Sequence, residues 1–461
     1  MENVIVPDVL LVIGNGFDRQ CDLKSSYYDF LLYTIKKNED TDCDDNNLLA
    51  KYENYIENCR LKITISEQMQ KYNSNKVIDK LNLWYLLFLY KKTLLKKDWN
   101  FIEEQILQEV LMDHGGLNIF SKILFGILTK YILDKDIDKH VLLVFNGQES
   151  DAIPNIYNVL SNNLYYKLKS DRENNTVYKN LFNELDAWRE VIQKKIKEIK
   201  ATNYHSYDKI RVDITEEIDL LNCIAEILLE QLKEVEHDFI MYLDNEVNTN
   251  NCYEGNSKLL ANYMLKDDKI PNENINCNVL SFNYTEPWGE KLNFRDNLLH
   301  VNLFKNIHGT LKNRSIIFGI DDNMIDSKSE GYRFTKGSRI MEMNTIEENK
   351  STPIKVIFDR NVNRVVFYGH SLSDADYGYF QLIFDEYKEN ENLIFEFCYT
   401  VFDGTTKENE IIKLREGISR IFGRYEKENV ERKYTLKNLN LNNRIKFREI
   451  PKLLDENKLK N

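Results

Sequence analysis

A five-residue apolar run, Val9 to Ile13, stops on Gly14-Asn15-Gly16-Phe17-Asp18, and the short apolar runs able to pair with it return only from residue 278. A run of this kind that meets a glycine turn and then a helical pattern opens a nucleotide-binding α/β unit. Its later partners are "NVLSFNY" (Asn278 to Tyr284), "SIIFGI" (Ser315 to Ile320), "RVVFYGHS" (Arg364 to Ser371) and "LIFEFCYTVF" (Leu393 to Phe402). They are β-branched and aromatic, and three of the four are nearly continuous apolar runs, as in strands covered on both faces. The pattern predicts an α/β fold with a parallel sheet split in sequence by a large, mainly α-helical insertion. Residues 1–34 and 276–422 make the sheet domain, 35–275 the insertion, and 423–461 a charged, peripheral extension.

Within the insertion, Ile214, Ile218, Leu221, Ala225, Leu228, Leu232, Val235, Phe239 and Tyr242 alternate steps of four and three. Such a seam suits an internal helix bundle or a contact between subunits, which makes a homo-oligomer through the insertion one expectation. The polar breaks "DTDCDDNN", "SDRENNT" and "NTNNCYEGNS" read as loops between helices. Trp99 and Glu103, four apart on one helical face, suit either an ordinary surface helix or the roof of a nucleotide pocket.

Bulk charge narrows the function classes. The balance of 62 basic against 74 acidic residues gives −12, which predicts a soluble chain and opposes sequence-independent nucleic-acid binding, although a local basic cleft stays open. No stretch of about 18 uncharged apolar residues exists, and the first residues lack a basic, cleavable leader, so a cytoplasmic protein without a membrane partner is expected. Seven scattered cysteines without a CxxC pair predict free thiols and no metal centre.

In open α/β sheets, ligands sit beyond the carboxyl ends of the strands, so the residues after each apolar run are the candidates. Gly14 and Gly16 allow a tight turn and close approach of a ligand to the backbone of Asn15 and Phe17. The third glycine of the dinucleotide fingerprint is replaced by Arg19, which disfavours an ordinary dehydrogenase. A carboxylate about 4 Å from a phosphate charge costs on the order of 4 kcal/mol at an effective dielectric of about 20. Asp18 is therefore expected to cap the helix or to accept ribose hydroxyls. Asn283, followed by Tyr284, stands where an amide can bind a sugar hydroxyl or a water, or simply form a turn. His308 precedes Gly309 and can take a proton near neutral pH or serve structurally. Gly369, His370 and Ser371 end another strand, with Ser373 and Asp376 placed to start a helix; the GxSxG elbow of serine hydrolases fails at Ser373.

Taken together and in this order, "LLVIGNGFDRQCDLKSSYYDFL", "LSFNYTEPW", "IHGTL" with "IIFGI", and "VVFYGHSLSDADYGYF" resemble the bacteriophage abortive infection AbiH family. More distantly they are similar to the sirtuin-like domains of anti-phage defence proteins. That resemblance implies a Rossmann-like, sirtuin-like sheet and an effector that hydrolyses NAD+ at the nicotinamide–ribose bond. It implies Gly14 and Gly16 in the glycine turn, Asn283 on the ribose and His308 as proton acceptor. Asp18 stands where the sirtuin-like pattern has Ser, and Thr285 where it has Asp. The paired-cysteine zinc module of deacetylases is missing from the sequence. A nucleotide or ADP-ribose sensor without turnover and an RNA-directed nuclease toxin are the alternatives, and a phage-derived trigger is the expected partner.

Overall fold

The computed structural model describes residues 7–39, 82–95, 102–111, 117–134, 141–145, 148–149, 155–202, 210–214, 218–265, 275–288, 299–346, 353–428 and 435–453. The chain divides into two compact units. One takes Met1–Phe30, His237–Ile317 and Ile340–Asn461; the other takes Leu31–Glu236 and Phe318–Arg339.

The first unit is built on six parallel strands: β1 (Val9–Ile13), β2 (Ile275–Ser281), β3 (Leu299–Asn306), β4 (Arg364–Tyr368), β5 (Ile394–Tyr399) and β6 (Ile445–Glu449). Their order across the sheet is β6-β5-β4-β1-β2-β3, the doubly wound Rossmann order, and its direction reverses between β1 and β4. Every residue of β1 is buried, because this central strand is covered on both faces. Leu10, Val12, Val365, Phe367 and Phe395 point into a layer with Phe380, Phe384 and Phe422, which come from the helices Tyr377–Tyr387 and Lys407–Glu428. The strands end level: Ile13 pairs with both Ser281 and Tyr368, and the chain turns off the sheet at Gly14, Phe282 and Gly369.

Three of the four late runs become central strands, and three features differ from the sequence reading. "SIIFGI" is not a strand of this sheet; Ser315–Ile316 pair antiparallel with Gly309–Thr310 in a two-residue hairpin. A short apolar run is buried equally well off the sheet, so periodicity cannot place it. The edge strand β3 was not expected, because "LHVNLFKN" mixes polar with apolar residues, as an edge half open to solvent permits. The C-terminal segment is no peripheral extension: β6 pairs with β5 in register Phe397↔Phe447, and Ile450 donates to the carbonyl of Tyr399.

The second unit contains the helices Leu83–Leu95, Ile102–Val110, Ile119–Asp134, Asn155–Asp171 and Thr176–Thr202. It also holds a small sheet in which Val141–Phe145 pairs parallel with Ile210–Ile214. The expected seam lies on the helix Ile218–Thr249 except for its first member, Ile214, which ends the strand Ile210–Ile214. Ala225, Leu228, Leu232, Val235, Phe239 and Tyr242 are each at most 2% exposed, so this stripe is internal core and offers no subunit contact. The side chains of Ile214 and Ile218 lie outside the described set, as do Trp99 and the break "DTDCDDNN". Glu103 is ion-paired with Lys336 at 3.1 Å.

Candidate functional site

The site assembles at the carboxyl ends of β1, β2, β3 and β4, where the order of the sheet reverses. Its first part is the glycine turn. Gly14 donates to the carbonyl of Tyr368 (3.0 Å) and Gly16 to that of Gly369 (2.8 Å), so both N–H groups are spent within the fold. A Cβ on Gly14 would lie 2.8 Å from the carbonyl oxygen of Gly369, and one on Gly16 would lie 2.6 Å from its Cα. The glycines therefore let the two loops at the switch point touch backbone to backbone. The helix that follows, Asn15–Gln20, is short; Asn15 accepts from the Ser25 hydroxyl (2.5 Å), and buried Phe17 meets Trp288 edge to face.

Gly369 has φ +71°, and a Cβ there would come within 2.4 Å of the Phe17 nitrogen. Gly369→Ala is expected to lose about 2–4 kcal/mol, from the left-handed conformation plus an overlap that backbone cannot relieve. The midpoint of denaturant unfolding checks this; a variant as stable as the parent would refute the packing described.

Asp18 neither caps the helix nor faces solvent. It is 1% exposed, with the Tyr253 hydroxyl donating to Oδ1 (2.7 Å) and the Thr285 hydroxyl to Oδ2 (2.7 Å). Burial pushes its carboxyl from the ordinary 3.8 up to about 6, against the two hydroxyls and the Asn283 amide, which favour the charged form. Because the folded pKa is raised, the folded state holds the extra proton between pH 4 and 6. The Asp18 contribution is therefore fully present below about pH 4 and lost as pH rises through 6, a difference on the order of 3 kcal/mol. Asp18→Asn is expected to remove this slope and to be at least as stable as the parent at pH 7.5; unfolding curves at pH 4 to 8 that superimpose in shape would refute it.

Asn283 sits in the turn after β2. Its N–H donates to Ser281 Oγ (3.1 Å), and its carbonyl and that of Thr285 both accept from Asn306 Nδ2 (2.7 and 3.0 Å). The turn is thus pinned from β3, yet the side chain it holds is unused. Asn283 is 4% exposed, and neither amide atom meets a partner at hydrogen-bond geometry among the described residues, although the amide lies close enough to Asp18 to help lower its pKa. Such a group is rare in a native interior and marks a place for a ligand or water. Tyr284 points elsewhere: its hydroxyl is 3.4 Å from that of Tyr27 and its ring meets Phe239.

Two histidines share one carboxylate beside this turn. His308 Nε2 lies 2.9 Å from Asp376 Oδ1, and His370 Nε2 lies 3.1 Å from Asp376 Oδ2. The N–H of Leu372 donates to His370 Nδ1 (2.8 Å), so the His370 proton is on Nε2. Leu372 reaches this position at φ +53°, unusual for a branched residue, and is held by Arg420, which donates to its carbonyl (2.8 Å). Phe282 packs against both imidazoles, with ring centroids 5.7 Å from His308 and 4.2 Å from His370. Ser371 is exposed and takes no part in these contacts.

A family model described as Bacteriophage abortive infection AbiH matches residues 10–397. The chain belongs to the AbiH family. Membership implies a role in abortive infection by phage. No curated protein and no solved structure matches the chain.

Within this AbiH chain, Gly14, Asp18, Asn283, His308, Gly369 and His370, chosen from sequence, come together at the switch point; Tyr284 and Ser371 do not join them. Tyr253 and Asn306 were missed. Tyr253 lies 235 positions from Asp18, inside the segment "NTNNCYEGNS" read as a loop, of which only residues 250–252 lie between helices and Tyr253 already opens the helix Tyr253–Leu265. Asn306 carried a usable signal, since it stands two residues before His308 at a strand end. Among the described residues, no helix is long and apolar enough to cross a membrane, and no three His, Cys, Asp or Glu side chains are grouped to hold a metal.

Proposed function

We propose that this AbiH chain cleaves the nicotinamide–ribose bond of NAD+ during phage infection. The observation that carries the reading is the buried, unpaired amide of Asn283 at the switch end of a doubly wound sheet, next to an imidazole anchored by a carboxylate. Nicotinamide leaves as a neutral base with the electron pair of the broken C–N bond, so no general acid is required. Water then adds to C1′ of the oxocarbenium-like ribosyl group and passes its proton to His308. An imidazole that donates from Nε2 to Asp376 keeps its lone pair on Nδ1, the atom suited to receive that proton. Asn283 positions the ribose hydroxyls or the water.

Asp18 and Thr285, the two positions that depart from the sirtuin-like pattern, are joined by one hydrogen bond. Asn283 and His308 are each only 4% exposed, which suits an effector that is silent until a phage-derived trigger opens the site.

The test is nicotinamide release from NAD+ by the purified protein, alone and with lysate of infected cells, together with NAD+ levels in infected cells. Triggered release that Asn283→Ala abolishes is the expected result. Undiminished release by that variant, or no NAD+ loss during an infection that the protein arrests, overturns the reading. Thermal stabilisation by NAD+ without product selects a sensor instead.

A further inference from the structure

At the carboxyl end of the edge strand β3, wholly within the sheet-bearing unit, lies a cavity of about 220 Å³. Its polar lining comes from four side chains: Glu286 beyond the turn that carries Asn283, Lys305 and Asn306 at the end of β3, and Thr310 in the hairpin that follows His308. Neither Asn283, His308 nor His370 lines it, so it is a place separate from the pair of imidazoles.

Glu286 and Lys305 are both half-buried, and the side chain of neither makes an ion pair or hydrogen bond among the described residues, not even with the other. Burial pushes the Lys305 ammonium below its ordinary range. Opposite charges taken partly out of water and left apart are costly, and a ligand that bridges them offsets the cost of both. The two neutral groups repeat this polarity. Asn306 spends Nδ2 on the carbonyls of Asn283 and Thr285, so what it can still offer an occupant is the acceptor Oδ1. Thr310 Oγ1 accepts from the N–H of Asn313 (3.0 Å), which leaves its hydroxyl proton to donate. The cavity thus presents two donors, Lys305 and Thr310, and two acceptors, Glu286 and Asn306. Apolar walls flank them, with Leu303 and Val356 still 36% and 51% exposed.

We propose that this cavity binds a free α-amino acid with an apolar side chain, its carboxylate on Lys305 and Thr310, its ammonium on Glu286 and Asn306, and its side chain along Leu303 and Val356. This goes beyond the reading of the NAD+ site and stands without it. One positive and one negative side chain sum to zero, which matches a zwitterion; a phosphate dianion would gain Lys305 but meet Glu286 across the same small space. At about 220 Å³ the cavity is also smaller than the roughly 300–1,000 Å³ of sites for drug-sized ligands, so it admits one small molecule and not a dinucleotide.

The experiment is calorimetric titration of the full chain with L-valine, L-leucine and L-phenylalanine, and with two analogues of leucine that each lack one pole: isocaproate, without the ammonium, and isoamylamine, without the carboxylate. Saturable binding of at least one of the amino acids is expected. L-Leucine should bind about tenfold or more tightly than either analogue, because each analogue forfeits one set of charge-assisted contacts. Lys305→Met and Glu286→Gln are each expected to weaken amino-acid binding by about tenfold while unfolding at the parental midpoint, since neither charged group holds the fold through a partner. No binding by any of the three amino acids overturns the proposal, as does binding that both variants retain or that the analogues match. Ribose phosphate binding more tightly than L-leucine assigns the cavity to a sugar phosphate and overturns it too. Should a variant fail to fold, the analogue series decides. Nicotinamide release is scored separately, so either result can fail while the other holds.

Discussion

His308→Ala is expected to lower triggered nicotinamide release by about 10²- to 10⁴-fold, the range that a positioned general base supplies. In infected cells the variant should leave NAD+ at its uninfected level and let phage propagate. The size of the effect follows from how thoroughly the imidazole is committed. It is 4% exposed, bonded through Nε2 to Asp376 at 2.9 Å, and walled by Phe282 and by Tyr379, whose ring lies edge-on at 5.3 Å. Asp376→Asn separates positioning from mere folding: the amide cannot accept from both imidazoles at once, and the pH–rate profile should shift while the protein remains folded. A His308→Ala variant with parental release would remove His308 from the chemistry and leave the sheet and its switch point standing.

Glu236→Ala is expected to destabilise the helical unit by about 3–5 kcal/mol, as breaking one partner of a buried ion pair does. Both Arg339 guanidinium nitrogens bind the carboxylate, at 3.1 and 2.7 Å, and Oε1 also accepts from the N–H of Phe318 at 2.7 Å. The two charged residues are 4% and 5% exposed. Removing the carboxylate therefore takes its bidentate partner from a buried guanidinium and its acceptor from the Phe318 N–H, and burial in low dielectric makes each loss costly. The double replacement Glu236→Leu with Arg339→Leu should cost much less than Glu236→Ala, because no buried charge is then left unpaired. Unfolding midpoints in denaturant measure the difference. Equal losses in the single and double variants would mean that packing volume, not charge, holds this part of the fold.

The local chemistry of β1 and its glycine turn was legible because burial on both faces writes itself into sequence as an unbroken apolar run, and "NVLSF", "RVVFY" and "LIFEF" obeyed the same rule. β3 and β6 escaped for the converse reason. Both are edge strands, with one side free of the sheet, and polar residues are tolerated along them. "SIIFGI" misled because apolar burial alone does not say which partner buries it.

At the site, the sequence by itself determined which residue types stand at the strand ends: Gly14, Asp18, Asn283, His308, Gly369 and His370. It could not determine what each is committed to, since hydrogen bonds depend on distances between segments far apart in the chain. Only the tertiary structure brought Tyr253 across 235 positions onto Asp18 and Asp376 across 68 onto His308. With those contacts made, Gly14 and Gly16 became packing partners of Gly369 and Asp18 became a buried support. Asn283 was left with neither amide atom at hydrogen-bond geometry to any described residue, as befits a buried group that awaits a partner.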